Sequence, residues 1–251
     1  MRVEQIFRYP VKGLSPEALG AVTLEAGQGL PWDRTMAFAQ GDSAFDPAEP
    51  KWLPKRHFAC LMMNAVLARV HSAFDPATGQ LSLAMEGHAP ITARVATAEG
   101  RAALEAWLGT AMGADARGAL RLAEVPGHAF TDIPQKAVSL IGLASVADLS
   151  TRIGLPLDPL RFRGNIQFSG AEPFAELDWV GREVLLGGAR LRIFKRTQRC
   201  AATEVNPATA ARDAKPPAAL REAFGHADLG IYGEVIAGGR VAVGDSLALA
   251  G

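Results

Sequence analysis

The sequence has 251 residues, which is enough for one large domain or two modest ones. Apolar residues make up 49% of it, so a real hydrophobic core can form, and 26 lysines and arginines balance 26 aspartates and glutamates. A net charge of zero offers no overall attraction to nucleic acid or to acidic lipid. We therefore expect neither a nucleic-acid polymer nor a membrane as partner, and any basic surface must be local.

The beginning of the chain and its cysteines bear on the compartment. The first residues read directly into an alternating strand rather than into the apolar segment of a secretory signal, and no apolar run approaches membrane-spanning length. The two cysteines, far apart at positions 60 and 200, make neither a disulfide framework nor a zinc or iron–sulfur cage. We therefore expect a cytoplasmic protein.

The first half of the chain reads as short strands and one helix. Leu104, Trp107 and Leu108 fall on one face of a predicted helix at 99–112, which Gly113 stops. The Ala/Gly-rich stretch 113–119 then marks a domain boundary, so we expect domains at 1–115 and 116–251. Alternation and turn residues predict strands at 3–9, 22–24, 34–39, 65–71 and 80–85, the last two forming a hairpin across the turn at 75–79.

The second half repeats this mixture of short strands and helices. The predicted elements are strands at 137–141 and 166–169, helices at 144–153 and 216–224, and hairpins at 183–195 and 232–243, turned at the glycine pairs 187–188 and 238–239. Many short strands with glycine turns and about three helices predict a β-rich α+β fold, with helices added to a barrel-like sheet.

One cysteine is a candidate functional residue. Cys200 follows a basic, strand-like run, and a polar segment leads from it into the turn at Asn206-Pro207. The cations Lys195, Arg196 and Arg199 lie within five residues of its sulfur. Because nearby positive charge stabilises thiolate over thiol, Cys200 is a candidate anion, nucleophile or soft-metal ligand. The alternative is a strand-end cysteine beside solvated arginines.

Other cations stand where a rigid sheet can present them. Lys12, Arg34, Arg163 and Arg199 each lie at a strand end or in a turn, while Asn165 and Thr131 can add neutral hydrogen bonds. If these side chains converge, they form a pocket for phosphate or another compact anion, with arginine providing bidentate contacts. The alternative is that each cation is a solvated surface residue.

Other catalytic classes have weaker support in the residues. The five histidines lack zinc-hydrolase spacing, and no glycine-rich phosphate motif is present. A nucleophilic pair of Cys200 with His57, His128 or His226 stays open, which would make the protein a cysteine hydrolase. We expect Cys60, in an apolar run, to be a small core residue.

Six separated blocks of the sequence match one pattern. The blocks are Tyr9-Pro10-Val11-Lys12, Asp33-Arg34, Phe130-Thr131-Asp132, 161–166 (Arg-Phe-Arg-Gly-Asn-Ile), Arg199-Cys200 with Thr203 and Asn206-Pro207, and 230–235 (Gly-Ile-Tyr-Gly-Glu-Val) through 243–245. Together they resemble the MOSC family, named for the C-terminal domain of molybdenum cofactor sulfurases. The resemblance includes an N-terminal β-barrel partner domain, in the arrangement of the mitochondrial amidoxime-reducing component and its bacterial homologues. It spans nearly the whole chain, with order and spacing kept.

The resemblance implies a fold and a cofactor. The fold is a MOSC β-barrel domain packed against an N-terminal β-barrel-like MOSC_N domain. The cofactor is a molybdenum-pyranopterin whose metal Cys200 ligates, which suits the preference of a soft metal for thiolate. Gly164 departs from the family's usual proline and implies a looser start to the following strand. The implied cofactor-binding residues are Lys12, Arg34, Thr131, Arg163, Asn165 and Arg199.

The resemblance also implies a reaction. The protein would be an oxidoreductase that reduces small N-hydroxylated compounds, with electrons from a separate reductase or ferredoxin-like protein. Cys200 and Asp132 would be the catalytic residues, and protons would come through Asp132 or from solvent. The alternative is a carrier of sulfur or molybdenum cofactor that binds the pterin, or holds a persulfide on Cys200, without turning over substrate.

Overall fold

The computed structural model describes residues 1 to 251 as fifteen strands and three α-helices. The strands of the first half are β1 (Arg2–Arg8), β2 (Glu17–Leu19), β3 (Ala21–Leu24), β4 (Met36–Gln40), β5 (His71–Asp75), β6 (Gln80–Met85), β7 (His88–Arg94) and β8 (Leu120–Glu124). Those of the second half are β9 (Val138–Gly142), β10 (Ile166–Ser169), β11 (Glu183–Leu186), β12 (Ala189–Gln198), β13 (Asp228–Ala237), β14 (Gly239–Ala242) and β15 (Leu247–Leu249).

The helices are α1 (Ala98–Met112), α2 (Leu143–Ile153) and α3 (Pro216–Phe224), as the sequence predicts within one residue at each end. The side chain of Thr97 caps α1 by accepting the Gly100 amide at 3.0 Å. Two prolines open α3, where a missing amide proton costs nothing. None of these helices combines the length and the apolarity needed to cross a membrane.

The N-terminal strand belongs to the sheet of the second half. That sheet has eight strands in the order β15-β11-β12-β13-β9-β10-β1-β2. β1 runs antiparallel to β10, and β3 pairs with β14 in a separate two-stranded ribbon. Because Ile6 at the end of β1 pairs with Ile166, the loop that follows β1 lies beside the start of β10. The division at residues 115 and 116 stays a prediction, and β1 and β3 both pair with strands of the second half.

The large sheet curls without closing fully. Backbone amides of Val3 and Leu247 donate to Asp245 at 2.9 Å and to Met1 at 2.9 Å, which joins the start of β1 to the start of β15. The outermost strands β15 and β2 do not pair with each other. The β-rich α+β prediction is confirmed, but the predicted barrel is a half-barrel, because contact between its edges is limited to one short segment.

The rest of the first half builds its own core. β4 pairs with β8, while β5, β6 and β7 form a three-stranded meander, and α1 packs against β7 and β8. Buried side chains of α1 and β6, including Leu104, Leu108 and Leu83, join Phe38 of β4 in one cluster. A separate cluster fills the half-barrel and includes Val3 and other residues from β1 to β3. The cleft described below lies where segments from both groups meet.

Two predicted hairpins are wrong in detail. Residues 65–69 form a 3-10 turn instead of a strand, with the Leu67 amide bonded to the Asn64 carbonyl, so the hairpin across 75–79 joins β5 to β6. The predicted hairpin at 232–243 does not form, because β13 lies between β12 and β9 while β14 pairs with β3. A Cβ on Gly239 would lie 2.0 Å from the Gly188 carbonyl oxygen. This glycine therefore allows two chain segments to approach closely, and the chain passes there from one sheet to another.

The sequence implies a loose start to the strand after Gly164, but Gly164 is tightly packed, and a substitution there can test this. A Cβ at Gly164 would lie 2.2 Å from Cγ1 of Ile141, a core side chain. We expect Gly164→Ala to lower the free energy of unfolding in urea by about 1–3 kcal/mol, because overpacking forces the neighbour to shift. Ile141→Ala removes the obstructing atoms, so the double variant should lose less stability than the sum of the two single variants.

Gly109 provides the matched control. It lies within α1, and nothing stands within 4 Å of the position its Cβ would take. Gly109→Ala should raise the unfolding free energy by about 0.5–1 kcal/mol, because glycine is a poor helix former. Strict additivity between Gly164→Ala and Ile141→Ala would contradict the steric explanation.

Candidate functional site

A cleft of about 280 Å³ contains all the residues that the sequence singles out as site candidates. The first half supplies loops after β1 and before β4, together with the turn at 55–57 and residues 60–62 that follow it. The second half supplies the loops before β9 and β10 and the end of β12. The candidates in the cleft lining are Lys12, Arg34, Thr131, Asp132, Arg163, Asn165, Arg199 and Cys200.

Cys200 lies where the chain leaves the sheet after β12. Its backbone carbonyl accepts the Thr203 amide at 3.0 Å and the Thr203 hydroxyl at 2.9 Å, which starts the 3-10 turn at 201–204. The side chain is partly exposed and its thiol is free. The ammonium of Lys55 donates to Sγ at 3.2 Å. The sulfur thus faces the cleft rather than the apolar interior.

Asp132 links two lysines across the mouth of the cleft. Its Oδ1 accepts from Nζ of Lys12 at 2.6 Å, and its Oδ2 accepts from Nζ of Lys55 at 2.9 Å. Desolvation opposes ionisation, but attraction to the two ammonium groups holds the pKa of Asp132 far below its usual range. Burial also opposes the charged form of Lys55 and would lower its pKa. Attraction to Asp132 and Cys200 outweighs burial, so the pKa of Lys55 is raised. Asp132 is therefore a carboxylate at neutral pH.

Two arginines lie over the ring of Tyr9. The guanidinium carbons of Arg34 and Arg163 are 4.7 Å and 4.2 Å from the ring centroid. Nη2 of Arg34 donates to the Arg163 carbonyl at 2.9 Å, and its Nη1 pairs with Asp33. Both arginines have left-handed backbone, with φ of 54° and 51°. Such conformations are costly for residues with a side chain and concentrate at functional sites.

Arg163 has unused hydrogen-bonding capacity. Its Nη1 donates to the Leu14 carbonyl at 2.8 Å, but its Nη2 is buried without a partner. Burial lowers the pKa of Arg163 to about 10. A buried donor without an acceptor is expensive, so this nitrogen fits a site for an anionic ligand.

The side chains of Asn165 and Arg199 already form hydrogen bonds within the protein. Oδ1 of Asn165 accepts from the amide and the hydroxyl of Ser139, at 3.1 and 2.8 Å, and its Nδ2 donates to the Phe7 carbonyl at 3.2 Å. Arg199 donates through Nε to the Leu229 carbonyl at 2.7 Å and through Nη1 to the Phe162 carbonyl at 2.7 Å. These bonds hold the cleft walls together. Burial also lowers the pKa of Arg199 to about 10.

Thr131 contributes through its backbone. Its hydroxyl donates to the Ile133 carbonyl at 2.7 Å, and its own carbonyl accepts from Nε1 of Trp52 at 3.1 Å. The indole thereby attaches the loop before residue 55 to the loop that holds Asp132.

Sequence reasoning missed Lys55 and assigned the charge beside the sulfur to the wrong residues. Lys195 is exposed, and Arg196 donates to the Leu177 carbonyl at 2.9 Å and pairs with Asp178. Lys55 instead reaches the sulfur from 145 residues away in sequence. No local pattern marks it, because its significance comes from a long-range contact. Cys60, expected in the core, is buried and also borders the cleft.

The electrostatics of the cleft are strongly one-sided. Eight lysines and arginines line it, against two aspartates, although the whole chain is neutral. None of the histidines lines the cleft, so no histidine stands there to pair with Cys200 as a cysteine hydrolase would require. A cationic cavity with a thiol and an unpaired guanidinium nitrogen fits an anionic group that also accepts a sulfur ligand.

Comparisons with known proteins identify a domain family and several relatives of this chain. Residues 125–248 match the MOSC domain family. The mitochondrial amidoxime-reducing component 1 of Homo sapiens is 32% identical over 89 residues, which is 36% of this chain and 26% of the human protein. The component 1 of Mus musculus is 32% identical over 120 residues, which is 43% of this chain and 35% of the mouse protein. The matches thus span about a quarter to a third of these relatives.

A solved structure, the YuaD protein of Bacillus subtilis, aligns over 98% of this chain and 93% of its own at 14% identity, with a TM-score of 0.46. The domain match covers the strands and loops that carry Asp132, Arg163, Asn165 and Cys200, and it agrees with the motifs that the sequence presents. Residues 125–248 of this chain are therefore a MOSC domain.

Proposed function

We propose that this protein binds a molybdenum-pyranopterin cofactor in the cleft and reduces N-hydroxylated compounds. The observation that carries the proposal is the convergence of cations from both halves on a partly exposed cysteine sulfur. The unpartnered Nη2 of Arg163 supports an anionic ligand, and the free thiol of Cys200 supports a soft metal. The relatives named as amidoxime-reducing components support the reaction class.

The chain's own residues have distinct parts in this proposal. Cys200 would ligate the metal, and Arg163 would bind the anionic part of the pterin through its unpartnered Nη2, while Arg34 and Lys12 would add positive charge beside it. Asn165 and Arg199, whose groups already bond to backbone, would position the cleft walls rather than grip the cofactor. Thr131 would act through the loop that its carbonyl fixes.

Asp132 fits a different role from the proton delivery predicted for it. Two ammonium groups hold it as a carboxylate, so it has no proton to donate at neutral pH. We propose that it positions Lys12 and Lys55 and that the protons come from solvent.

The cofactor would supply a metal centre that changes by two electrons and accepts the substrate oxygen. In the balanced reaction the N–O bond of R–NH–OH breaks, two electrons and two protons are consumed, and R–NH2 and water form. The electrons would come from a separate reductase or ferredoxin-like protein. A cytoplasmic location stays a prediction, since the relatives are named as mitochondrial proteins.

The first test removes the proposed ligand. Cys200→Ala should reduce molybdenum and pterin in the purified protein to background and abolish reduction of benzamidoxime with a chemical reductant. The melting temperature should stay close to that of cofactor-free wild-type protein, because the side chain is partly exposed and its replacement leaves the core unchanged. Cys60→Ala, at the other free cysteine, is the matched control and should retain molybdenum.

Two outcomes of this experiment point elsewhere. Wild-type protein with labile sulfur on Cys200 and no molybdenum would favour the sulfur- or cofactor-carrier alternative, which the free, partly exposed thiol also suits. Native turnover by Cys200→Ala would show that the residue is not the ligand.

The second test addresses the anion site. Arg163→Ala should lower cofactor occupancy at least several-fold, measured as pterin per protein, because the buried guanidinium is the donor left free for a ligand. Arg192→Ala removes an arginine that is 55% exposed and faces Glu183, so it should leave occupancy unchanged. Equal occupancy in both variants would contradict the assignment of Arg163.

A further inference from the structure

Lys55 is held in place from several directions. It begins the 3-10 turn at 55–57, and its carbonyl accepts the Phe58 amide at 3.0 Å and lies 3.6 Å from Sγ of Cys60. Three residues earlier, the indole of Trp52 bonds to the Thr131 carbonyl. Local hydrogen bonds thus fix the backbone of Lys55, and the indole of Trp52 ties the preceding residues to the loop of Thr131.

The ammonium group bridges two anionic or anion-forming partners. Nζ donates to Sγ of Cys200 at 3.2 Å and to Oδ2 of Asp132 at 2.9 Å. The other oxygen of Asp132 is occupied by Lys12, so the carboxylate cannot rotate away without losing an ion pair. This arrangement fixes the direction in which the ammonium approaches the sulfur.

No other cation of the cleft hydrogen-bonds to this sulfur. Arg199, the immediate neighbour in sequence, directs its guanidinium at the backbone carbonyls of Leu229 and Phe162. Arg196 is engaged with Leu177 and Asp178, and Lys195 is exposed. The cation that hydrogen-bonds to the sulfur therefore comes from the other half of the chain.

We propose that Lys55 is a positioning residue that places a fixed positive charge and a hydrogen-bond donor against the Cys200 sulfur, with Asp132 orienting it. Where this sulfur ligates a metal, which rests on the function proposed above, the same contact raises the reduction potential of that metal. A hydrogen bond to a thiolate withdraws electron density from it, and such contacts tune the potentials of thiolate-bound metals. Lys55 thus sets the ligand's charge without ligating the metal.

The first experiment uses the full-length chain without cofactor and does not depend on molybdenum. The rates at which Cys200 reacts with anionic iodoacetate and with neutral iodoacetamide are measured by peptide mass spectrometry at one pH. Their ratio cancels the fraction of thiolate and reports the local charge at the sulfur. Lys55→Met, which keeps length and volume but removes the charge, should lower this ratio several-fold, while Lys55→Arg should retain most of it.

Lys51→Met is the matched control, since Lys51 lies in the same loop, is 79% exposed and pairs with Glu49. It should leave the ratio at the wild-type value. Should Lys55→Met fail to fold, Lys55→Gln, which also removes the charge but keeps a polar side chain, takes its place, and the ratio should fall in the same direction. A ratio unchanged in the folded Lys55 variant would overturn the proposal, as would an equal fall in Lys51→Met.

The second experiment uses the cofactor-loaded protein. A redox titration followed by the Mo(V) paramagnetic signal should show a more negative midpoint potential in Lys55→Met than in wild type, with Lys55→Arg close to wild type. Absence of molybdenum would contradict the proposed function and leave the alkylation ratio to decide the role of Lys55. An unshifted potential in a variant whose alkylation ratio falls would overturn the effect on the metal alone.

Discussion

Positive charge that carboxylates only partly neutralise is the constraint on which the cleft depends. Arg163 and Arg199 form no ion pair, and burial lowers the pKa of each to about 10. Burying a cation without a counter-ion is expensive, and the fold offsets the cost with backbone carbonyls and the face of Tyr9. The result is a cavity complementary to an anion before any anion binds, which reduces the reorganisation needed on binding.

Topology explains how these charges come together. β1 is inserted beside β10, so the chain that leaves it at Tyr9 passes directly next to Arg163. The amide of Phe7 and the side chain of Asn165 tie the two strands at this point. Because β1 pairs with β10, Lys12 in the loop after β1 lines the same cleft as Arg163. The pairing of β1 and β3 with strands of the second half therefore helps to assemble the cleft.

In the functions proposed above, different cations of the cleft bind the anionic ligand and set the charge at the Cys200 sulfur. The guanidinium groups of Arg34 and Arg163 lie over Tyr9, whereas Lys55, which Asp132 also binds, hydrogen-bonds to the sulfur. Asp132 neutralises part of the lysine charge and fixes its direction. A carboxylate in this setting is an orienting group, since both oxygens are engaged and its proton affinity is low. The functional proposals follow from this separation.

The sequence by itself determined the local elements and most of the site. Capping residues, proline and glycine fixed the three helices within a residue, and separated motifs singled out eight residues that do line one cleft. Tertiary structure decided what depends on contacts between distant segments. It paired β14 with β3 instead of β13, left the barrel half open, and turned Asn165 and Arg199 towards backbone carbonyls. It also brought Lys55 to Cys200 across 145 residues, because long-range packing and ion pairing leave no periodic or spaced pattern in the chain.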